Sequence, residues 1–189
     1  MQYLSIQHLP TKLALLTIIC ISACSSIGPT SENLGKRTIG TQWDDQLLES
    51  RGKANVKATN TDAGQTHVNI TAFNGVILLT GQVPSEDVKE ASGAAVEGLR
   101  KAKLIHNELV IAGPTSLMSR TNDTWLTTKV KTALLTSDES AGNRIKVVTE
   151  NSVVYLMGLL TKNEADAAVE VARGVFGVQK IVKVFEYIN

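Results

Sequence analysis

The chain has 189 residues, with 19 Lys and Arg against 18 Asp and Glu, and a formal net charge of +1. This balance lacks the excess of basic residues with which proteins attract nucleic acid, so nucleic acid is not an expected partner. Two cysteines and three histidines form no metal-ligand motif, so we expect no metal or cofactor.

The amino terminus has the layout of a secretory signal. A single cation, Lys12, precedes an apolar run over residues 13–21. This run has about nine residues, whereas a transmembrane helix needs roughly 20. Ile-Ser-Ala-Cys over residues 21–24 resembles the bacterial lipobox, in which cleavage exposes a cysteine that carries diacylglycerol and an N-acyl chain. We therefore predict a lipoprotein signal peptide over residues 1–23 and lipidation of Cys24.

The use of cysteine supports a lipid anchor. Cleavage removes Cys20, so Cys24 has no partner for an internal disulfide, even in an oxidising compartment. Two or more acyl chains also give stable membrane attachment. Ser25, rather than Asp, follows the cysteine, and resemblance to lipoprotein sorting in enteric bacteria then favours the outer membrane, facing the periplasm. The alternative is an ordinary signal peptide, cut near Ala23, that leaves a soluble periplasmic protein.

Composition divides the rest of the chain into a tether and two modules. Residues 24–42 are rich in Ser, Thr and Gly, which predicts a flexible, lipidated tether. A Gly-Pro pair at 113–114 indicates a linker, which we place at residues 113–121. The predicted folded modules are then residues 43–112 and 122–189.

The two modules are copies of one pattern. Residues 67–81 align with residues 144–158 without a gap. Each stretch alternates apolar residues, passes an Asn-Gly or Asn-Ser turn and continues as an apolar strand that ends in glycine, which predicts a β-hairpin. A helix opened by Ser85 or Thr161 follows, and then a last strand. With a further helix before each hairpin, the order αββαβ occurs twice, and the fold class is α+β.

Three features resemble the BON domain family: the αββαβ order, the turn before a strand ending in glycine, and the closing Asn107-Glu108-Leu109. Residues 122–131 and 154–159 resemble the second domain of outer-membrane lipoproteins that have two BON domains. The resemblance implies two tandem BON domains, each with a three-stranded mixed sheet packed against two helices. It also implies a non-enzymatic protein that binds phospholipid, supports outer-membrane integrity and can concentrate at division sites. We expect the protein to be a monomer.

Three glycines bear on how the modules pack. Gly81 and Gly158 end their apolar strands, where glycine either lets another backbone approach or supplies a dihedral that other residues disfavour. Both interpretations are structural, so we predict that replacement damages folding before it affects lipid binding. Gly52 interrupts the first helix, where the second copy has Val130, so we expect that helix to be less well packed.

The first helix of the second copy offers a candidate lipid-contact face. Its apolar stripe, expected to face the sheet, consists of Leu126, Val130, Ala133 and Leu134. Trp125 lies off this stripe, with Lys129 one turn away. An indole beside a lysine on a polar face is typical of a membrane interface, where the ring lies among headgroups and the ammonium meets phosphate. The predicted contacts with anionic phospholipid are Trp125, Thr128, Lys129, Lys131 and Thr132.

Alternatives stay open for the tryptophan and for the function. In one, Trp125 is buried against the first copy at the interface between the modules. A sheet edge that accepts a partner strand supports a second functional hypothesis, a periplasmic adaptor for an outer-membrane assembly machine or a cell-wall enzyme. A structural role in osmotic protection is the third.

No motif in the sequence indicates catalysis. Once the signal is removed, imidazole chemistry depends on His67 and His106, and neither lies in a metal-binding or nucleophile motif. We predict that both histidines face solvent and that the chain is not an enzyme.

Overall fold

The computed structural model describes residues 35–59 and 66–189. The predicted signal peptide, Cys24 and most of the predicted tether lie outside these residues. The first module contains α1 (Ile39–Thr59), β1 (His67–Phe73), β2 (Val76–Val83), α2 (Glu86–Glu97) and β3 (Leu104–Ile111). The second contains α3 (Leu117–Thr136), β4 (Ile145–Glu150), β5 (Val153–Leu160), α4 (Lys162–Arg173) and β6 (Lys180–Tyr187). The order αββαβ in each module confirms the predicted α+β fold.

The first helix begins inside the segment predicted as tether. α1 starts at Ile39 because Thr38 caps it, with its side-chain oxygen accepting a hydrogen bond from the Thr41 amide at 3.1 Å. The polar residues just before and at the start of α1 therefore belong to a helix cap and an exposed first turn.

Each module contains a three-stranded mixed sheet, as expected. β1 pairs antiparallel with β2, and β2 pairs parallel with β3. Strands β4, β5 and β6 repeat this arrangement. A two-residue turn is enough to join the antiparallel pair, whereas the parallel strand needs a crossover, which α2 and α4 provide. β2 and β5 are therefore the central strands of their sheets.

An aspartate from the opening helix holds each hairpin turn. The Asp45 carboxylate accepts hydrogen bonds from both amides of the Asn74-Gly75 turn at 2.9 Å. In the second module, the Asp123 carboxylate accepts them from the Asn151-Ser152 turn at 2.7 and 2.9 Å. Both carboxylates are buried. Charge-assisted bonds thus fix the helix and the turn to each other.

The helices of each module cover one face of its own sheet. The buried positions are Asp45, Leu48, Gly52 and Val56 on α1, and Asp123, Leu126, Val130 and Leu134 on α3. A Cβ at Gly52 would meet methyl groups of Ile70 at 3.2 Å and Val96 at 3.3 Å. The expectation of a less well packed α1 is wrong, because the glycine lets the helix lie closer to the strands.

The other faces of the two sheets pack against each other and form the module interface. Its buried apolar side chains are Phe73, Val76 and Leu78 from the first module and Tyr155, Met157 and Val184 from the second. In β2, Ile77 and Leu79 contact the core of their own module, whereas Val76 and Leu78 alternate toward the interface. Burial of a side chain of this size contributes roughly 1.5–3 kcal/mol. The two modules accordingly form one compact unit, Leu34–Asn189. This unit contains three hydrophobic clusters, one inside each module and one at the module interface.

Hydrogen bonds fix the register of the module interface. Glu150, which is buried, accepts hydrogen bonds from the side-chain amides of Asn69 at 3.0 Å and Gln82 at 2.8 Å. These bonds satisfy a carboxylate that would be costly to bury without partners. Burial, with Glu108 and Glu150 nearby, raises the pKa of Tyr155 to about 12. The phenol therefore stays neutral at the interface.

Candidate functional site

The candidate lipid-contact face lies on the exposed side of α3. Ser116 caps this helix, with its side-chain oxygen accepting a hydrogen bond from the Ser119 amide at 3.2 Å. The predicted core stripe faces the sheet, with Leu126, Val130 and Leu134 buried and Ala133 half-buried. Trp125 faces away from this core and is 58% exposed. The alternative that buried Trp125 between the modules is therefore wrong.

Lys129 lies between two aromatic rings at this surface. Its ammonium nitrogen is 3.8 Å from the centroid of the Trp125 ring and 5.9 Å from that of the Phe176 ring. It also donates a hydrogen bond to the Phe176 carbonyl at 3.4 Å. These three residues form the aromatic-lysine cluster. The cation–π contacts hold a positive charge at a set position beside two apolar rings.

Phe176 is the member of this cluster that the sequence did not predict. It lies in the loop after α4, between Gly174 and Gly177, and is 89% exposed. The available signal was a phenylalanine between glycines, in a chain with only three Phe. Its proximity to Lys129 depends on how α3 and α4 pack, which local sequence does not specify.

The other predicted lipid-contact residues separate into two groups. Thr128 and Thr132 are exposed on the same side of α3 as Trp125. Lys131 is also exposed, but it lines a different depression, together with Lys36. The structure thus places Lys131 apart from the aromatic-lysine cluster.

Further apolar side chains are exposed on the two opening helices. Leu117 and Met118 lie in the first turn of α3. On α1, the exposed residues Ile39, Trp43 and Leu47 recur at every fourth position. Within the described part of the chain, cation–π contacts occur at Trp125, Phe176 and Phe73, but not at Trp43. The two exposed tryptophans therefore differ in their charged neighbours.

The BON domain family matches residues 44–113 and 122–189. The chain belongs to the BON domain family. It is 34% identical over 172 residues to the outer membrane lipoprotein DolP of Haemophilus influenzae, covering 90% of this chain and 89% of that protein. It is 35% identical over 162 residues to a 21 kDa hemolysin of Actinobacillus pleuropneumoniae, covering 86% and 84%. Osmotically-inducible protein Y of Escherichia coli is 24% identical over 161 residues, with 80% of each chain covered.

These similarities confirm the predicted family and location. The two modules are BON domains, and the chain is an outer-membrane lipoprotein of the BON family. None of the three relatives is named as an enzyme.

Three features of the described residues concern membrane spanning, metal binding and the two histidines. No helix within residues 35–59 and 66–189 is long and apolar enough to cross a bilayer. In the same ranges, no three His, Cys, Asp or Glu side chains are grouped so as to hold a metal ion. The His67 Nε2 lies 3.1 Å from the Asn69 amide nitrogen. Both His67 and His106 are half-buried, so each is partly exposed to solvent.

Gly81 and Gly158, which were predicted to end their strands, lie two residues before the ends of β2 and β5 and differ in conformation. Gly81 has a φ of +123°, and a Cβ there would lie 1.8 Å from the His67 carbonyl oxygen. At this position glycine therefore both supplies a dihedral that other residues disfavour and lets another backbone approach closely. Gly158 has no left-handed φ, and a Cβ would meet Leu160 at 3.2 Å and the Arg144 carbonyl oxygen at 3.3 Å. At Gly158 only the close approach of neighbouring atoms matters.

Proposed function

We propose that the second BON domain binds anionic phospholipid through the aromatic-lysine cluster, and that the lipoprotein supports outer-membrane integrity without catalysing a reaction. The observation that carries the proposal is the exposed Trp125 ring with the Lys129 ammonium 3.8 Å from its centroid. The proposal includes concentration at division sites, which membership of the family suggests.

The cluster has the chemistry of the membrane interface. Indole rings prefer the headgroup level of a bilayer, where an apolar ring and water are both accommodated. The Phe176 ring adds apolar surface beside Lys129, and the exposed Met118 adds apolar surface on α3, two turns before Trp125. Lys129 supplies the charge that meets lipid phosphate, and the hydroxyls of Thr128 and Thr132 lie on the same side of α3. This combination favours anionic over zwitterionic lipid.

Binding through so few residues is expected to be weak. One cation near an anionic surface contributes about 1 kcal/mol. The predicted lipid on Cys24 makes weak binding sufficient, because a tethered domain has a high effective concentration at the bilayer. Under this proposal, the acyl chains keep the protein at the membrane and the second BON domain distinguishes among lipids.

Co-sedimentation with vesicles tests this proposal. Residues 25–189 contain the whole compact unit and lack the acylated cysteine, so any sedimentation reports the domains themselves. The vesicles are phosphatidylcholine with and without phosphatidylglycerol. Wild type should bind the anionic vesicles, and Trp125→Glu should weaken binding by roughly tenfold or more. Trp43→Glu is the matched control, since Trp43 is 71% exposed but has no lysine against its ring.

Circular dichroism first confirms that both variants are folded. Loss of binding in Trp125→Glu with retention in Trp43→Glu supports a site on α3. Equal binding of wild type and Trp125→Glu contradicts the proposal. An equal loss in both variants also contradicts it, since the contact would not be specific to the second BON domain.

A protein-binding adaptor is the second candidate, and an exposed sheet edge favours it. Strand β3 is an edge strand, and Leu104, Val110 and Ile111 are exposed along it. Such an edge can accept a strand from a partner. Capture of an outer-membrane assembly component or a cell-wall enzyme that survives Trp125→Glu, but is lost in Val110→Pro, favours the adaptor.

A further inference from the structure

A basic cleft lies where the chain enters the first helix. It has a volume of about 520 Å³ and is formed by the segment before α1, the end of β1, the end of α3 and the turn before β4. Its five cationic lining residues are Lys36, Arg37, Lys131, Arg144 and Lys146. None of the described residues that line it carries a carboxylate. Both BON domains contribute to this cleft.

Three of the five cations are held in place by carboxylates outside the lining. Arg37 pairs with Asp45 at 2.6 Å, Lys146 pairs with Glu49 at 2.7 Å, and Arg144 pairs with Glu164. These bonds fix the polar wall of the basic cleft before any ligand arrives, which reduces the entropic cost of binding.

The remaining two cations supply uncompensated charge. Lys36 and Lys131 are exposed and form no ion pair with any residue in the described ranges. They come from different segments, one from the segment before α1 and the other from α3. Two unpaired ammonium groups that line one cavity favour the binding of an anion there.

The basic cleft also has an apolar part. Phe73 is among its lining residues, but its side chain is buried, and the Arg37 guanidinium lies 3.8 Å from the centroid of its ring. Leu135, which is more than half exposed, lines it from α3. Charged and apolar walls side by side suit an anion attached to an apolar or glycerol group better than a bare inorganic ion.

The basic cleft lies close in sequence to the predicted anchor. Gly35 lines it, and about eleven residues separate this position from Cys24. Acyl chains on Cys24, as predicted, would therefore anchor the protein at a residue close in sequence to the cleft.

We propose that the basic cleft binds the phosphate group of an anionic phosphate ester. Lys36 and Lys131 contact the phosphate, and Leu135 contacts the organic part of the ligand. Binding would connect the two BON domains at the base of the tether. The site is separate from the aromatic-lysine cluster and does not depend on it.

The test is a nuclear magnetic resonance titration of residues 25–189, the compact unit with its tether. The probes are inorganic phosphate, glycerol 3-phosphate, short-chain phosphatidylglycerol below its micelle concentration, and short-chain phosphatidylcholine. The amides of Lys131, Asn143 and Lys146, which line the basic cleft, should shift in a saturable manner with the anionic probes. The double variant Lys36→Gln with Lys131→Gln should weaken this binding by roughly tenfold or more.

The control removes the same charge elsewhere. Lys53→Gln with Lys57→Gln changes two exposed cations on α1 outside the cleft and should leave the shifts unchanged. Trp125→Glu should also leave them unchanged, which separates this proposal from binding at the aromatic-lysine cluster. Saturation by glycerol 3-phosphate or inorganic phosphate alone identifies a soluble source, and saturation by phosphatidylglycerol alone identifies a lipid.

Three outcomes would overturn the proposal. One is the absence of saturable shifts at the basic cleft with every phosphate probe. Another is an equal loss in the two double variants, which would mean that only overall charge matters. The third is equal binding of phosphatidylcholine and phosphatidylglycerol, because the two lysines would then not favour an anionic ligand over a zwitterionic one.

Discussion

The two BON domains share an interior and differ at their ends and surfaces. In both, an aspartate of the opening helix holds the hairpin turn, and the sheet buries its second face in the module interface. They differ in the second turn residue, in the conformation of the glycine near the end of the central strand, and in the cap of the crossover helix. The shared residues stabilise the fold of both domains, whereas the differing residues give each domain its own turns and helix ends.

The surfaces of the opening helices show the clearest difference. α1 exposes Trp43 without a cation against its ring, whereas α3 exposes Trp125 with Lys129 against it. Both helices bury equivalent positions, so the difference does not arise from how the helices pack. Under our proposal, lipid recognition therefore depends on surface residues of one BON domain and not on a difference in its core.

The largest effect is expected from removing the aspartate that both domains share. Asp123→Ala leaves two turn amides without an acceptor, and hydrogen bonds to a charged group contribute about 1.5–3 kcal/mol each. The free energy of unfolding should therefore fall by roughly 3–5 kcal/mol. Asp45→Ala should cost at least as much, because Asp45 also pairs with Arg37 at 2.6 Å.

Urea denaturation followed by circular dichroism measures both losses. The control is Asp166→Ala, which removes an exposed carboxylate from α4 and should change stability by less than about 0.5 kcal/mol. Losses no larger than this control would show that the turns form without the aspartates.

Substitution of Gly81 and of Gly158 should reduce the free energy of unfolding by different amounts. Gly81→Ala places a methyl group against the His67 carbonyl in a backbone conformation that only glycine readily adopts. We expect a loss of roughly 3 kcal/mol. Gly158→Ala only tightens ordinary contacts and should cost about 1 kcal/mol. Similar losses at both positions, measured by urea denaturation, would mean that the domains tolerate strain here equally.

The caps of the crossover helices predict a pH-dependent difference. Thr161 and Glu164 form a capping box at α4, whereas Ser85 caps α2 through a single bond from the Val88 amide. Burial tends to raise the pKa of Glu164, but hydrogen bonds from Thr161 and the nearby Arg144 guanidinium outweigh it and lower the pKa below 4.5. A carboxyl with a depressed folded pKa stabilises the fold above its unfolded pKa and loses this contribution as pH falls through the folded value.

Glu164→Gln should accordingly be less stable than wild type at neutral pH. The difference in free energy of unfolding should shrink as pH falls below 4.5, the ordinary value for the carboxyl. The equivalent position on α2 is Val88, which does not titrate. We therefore expect no pH-dependent contribution to stability from this position of the α2 cap. Denaturation at a series of pH values measures this, and a difference that stays constant down to about pH 3 would contradict the linkage.

Local sequence predicted the elements of both domains well. The Asn-Gly and Asn-Ser turns, alternating strands and continuous apolar runs place the hairpins, and Ser85 and Thr161 cap the helices that follow. These signals succeed because each depends on residues close together in the chain. Trp125 was also correctly placed off the buried stripe, since helical periodicity fixes which side chains face the sheet.

The features that were missed depend on contacts between distant segments. Gly52 suggested a weak helix, but its role depends on how near Ile70 lies. The Asp45 and Asp123 carboxylates accept hydrogen bonds from turns that lie 30 and 28 residues later in the sequence. Phe176 reaches Lys129 only because α3 and α4 pack side by side. A single sequence gives the type of each residue at such sites, but not which segments meet.

The smallest effect concerns the turns themselves. Ser152 has a φ of 62°, whereas Gly75 occupies the equivalent position in the first domain. A non-glycine residue in the left-handed region costs about 1 kcal/mol, so Ser152→Gly should raise the free energy of unfolding, by about 0.5 kcal/mol once the greater freedom of unfolded glycine is subtracted. The reverse change, Gly75→Ser, should destabilise, because a Cβ would lie 2.7 Å from the Lys101 carbonyl oxygen. If thermal denaturation instead shows Ser152→Gly to be less stable, the serine side chain itself supports the second turn, and the two domains hold their hairpins by different chemistry.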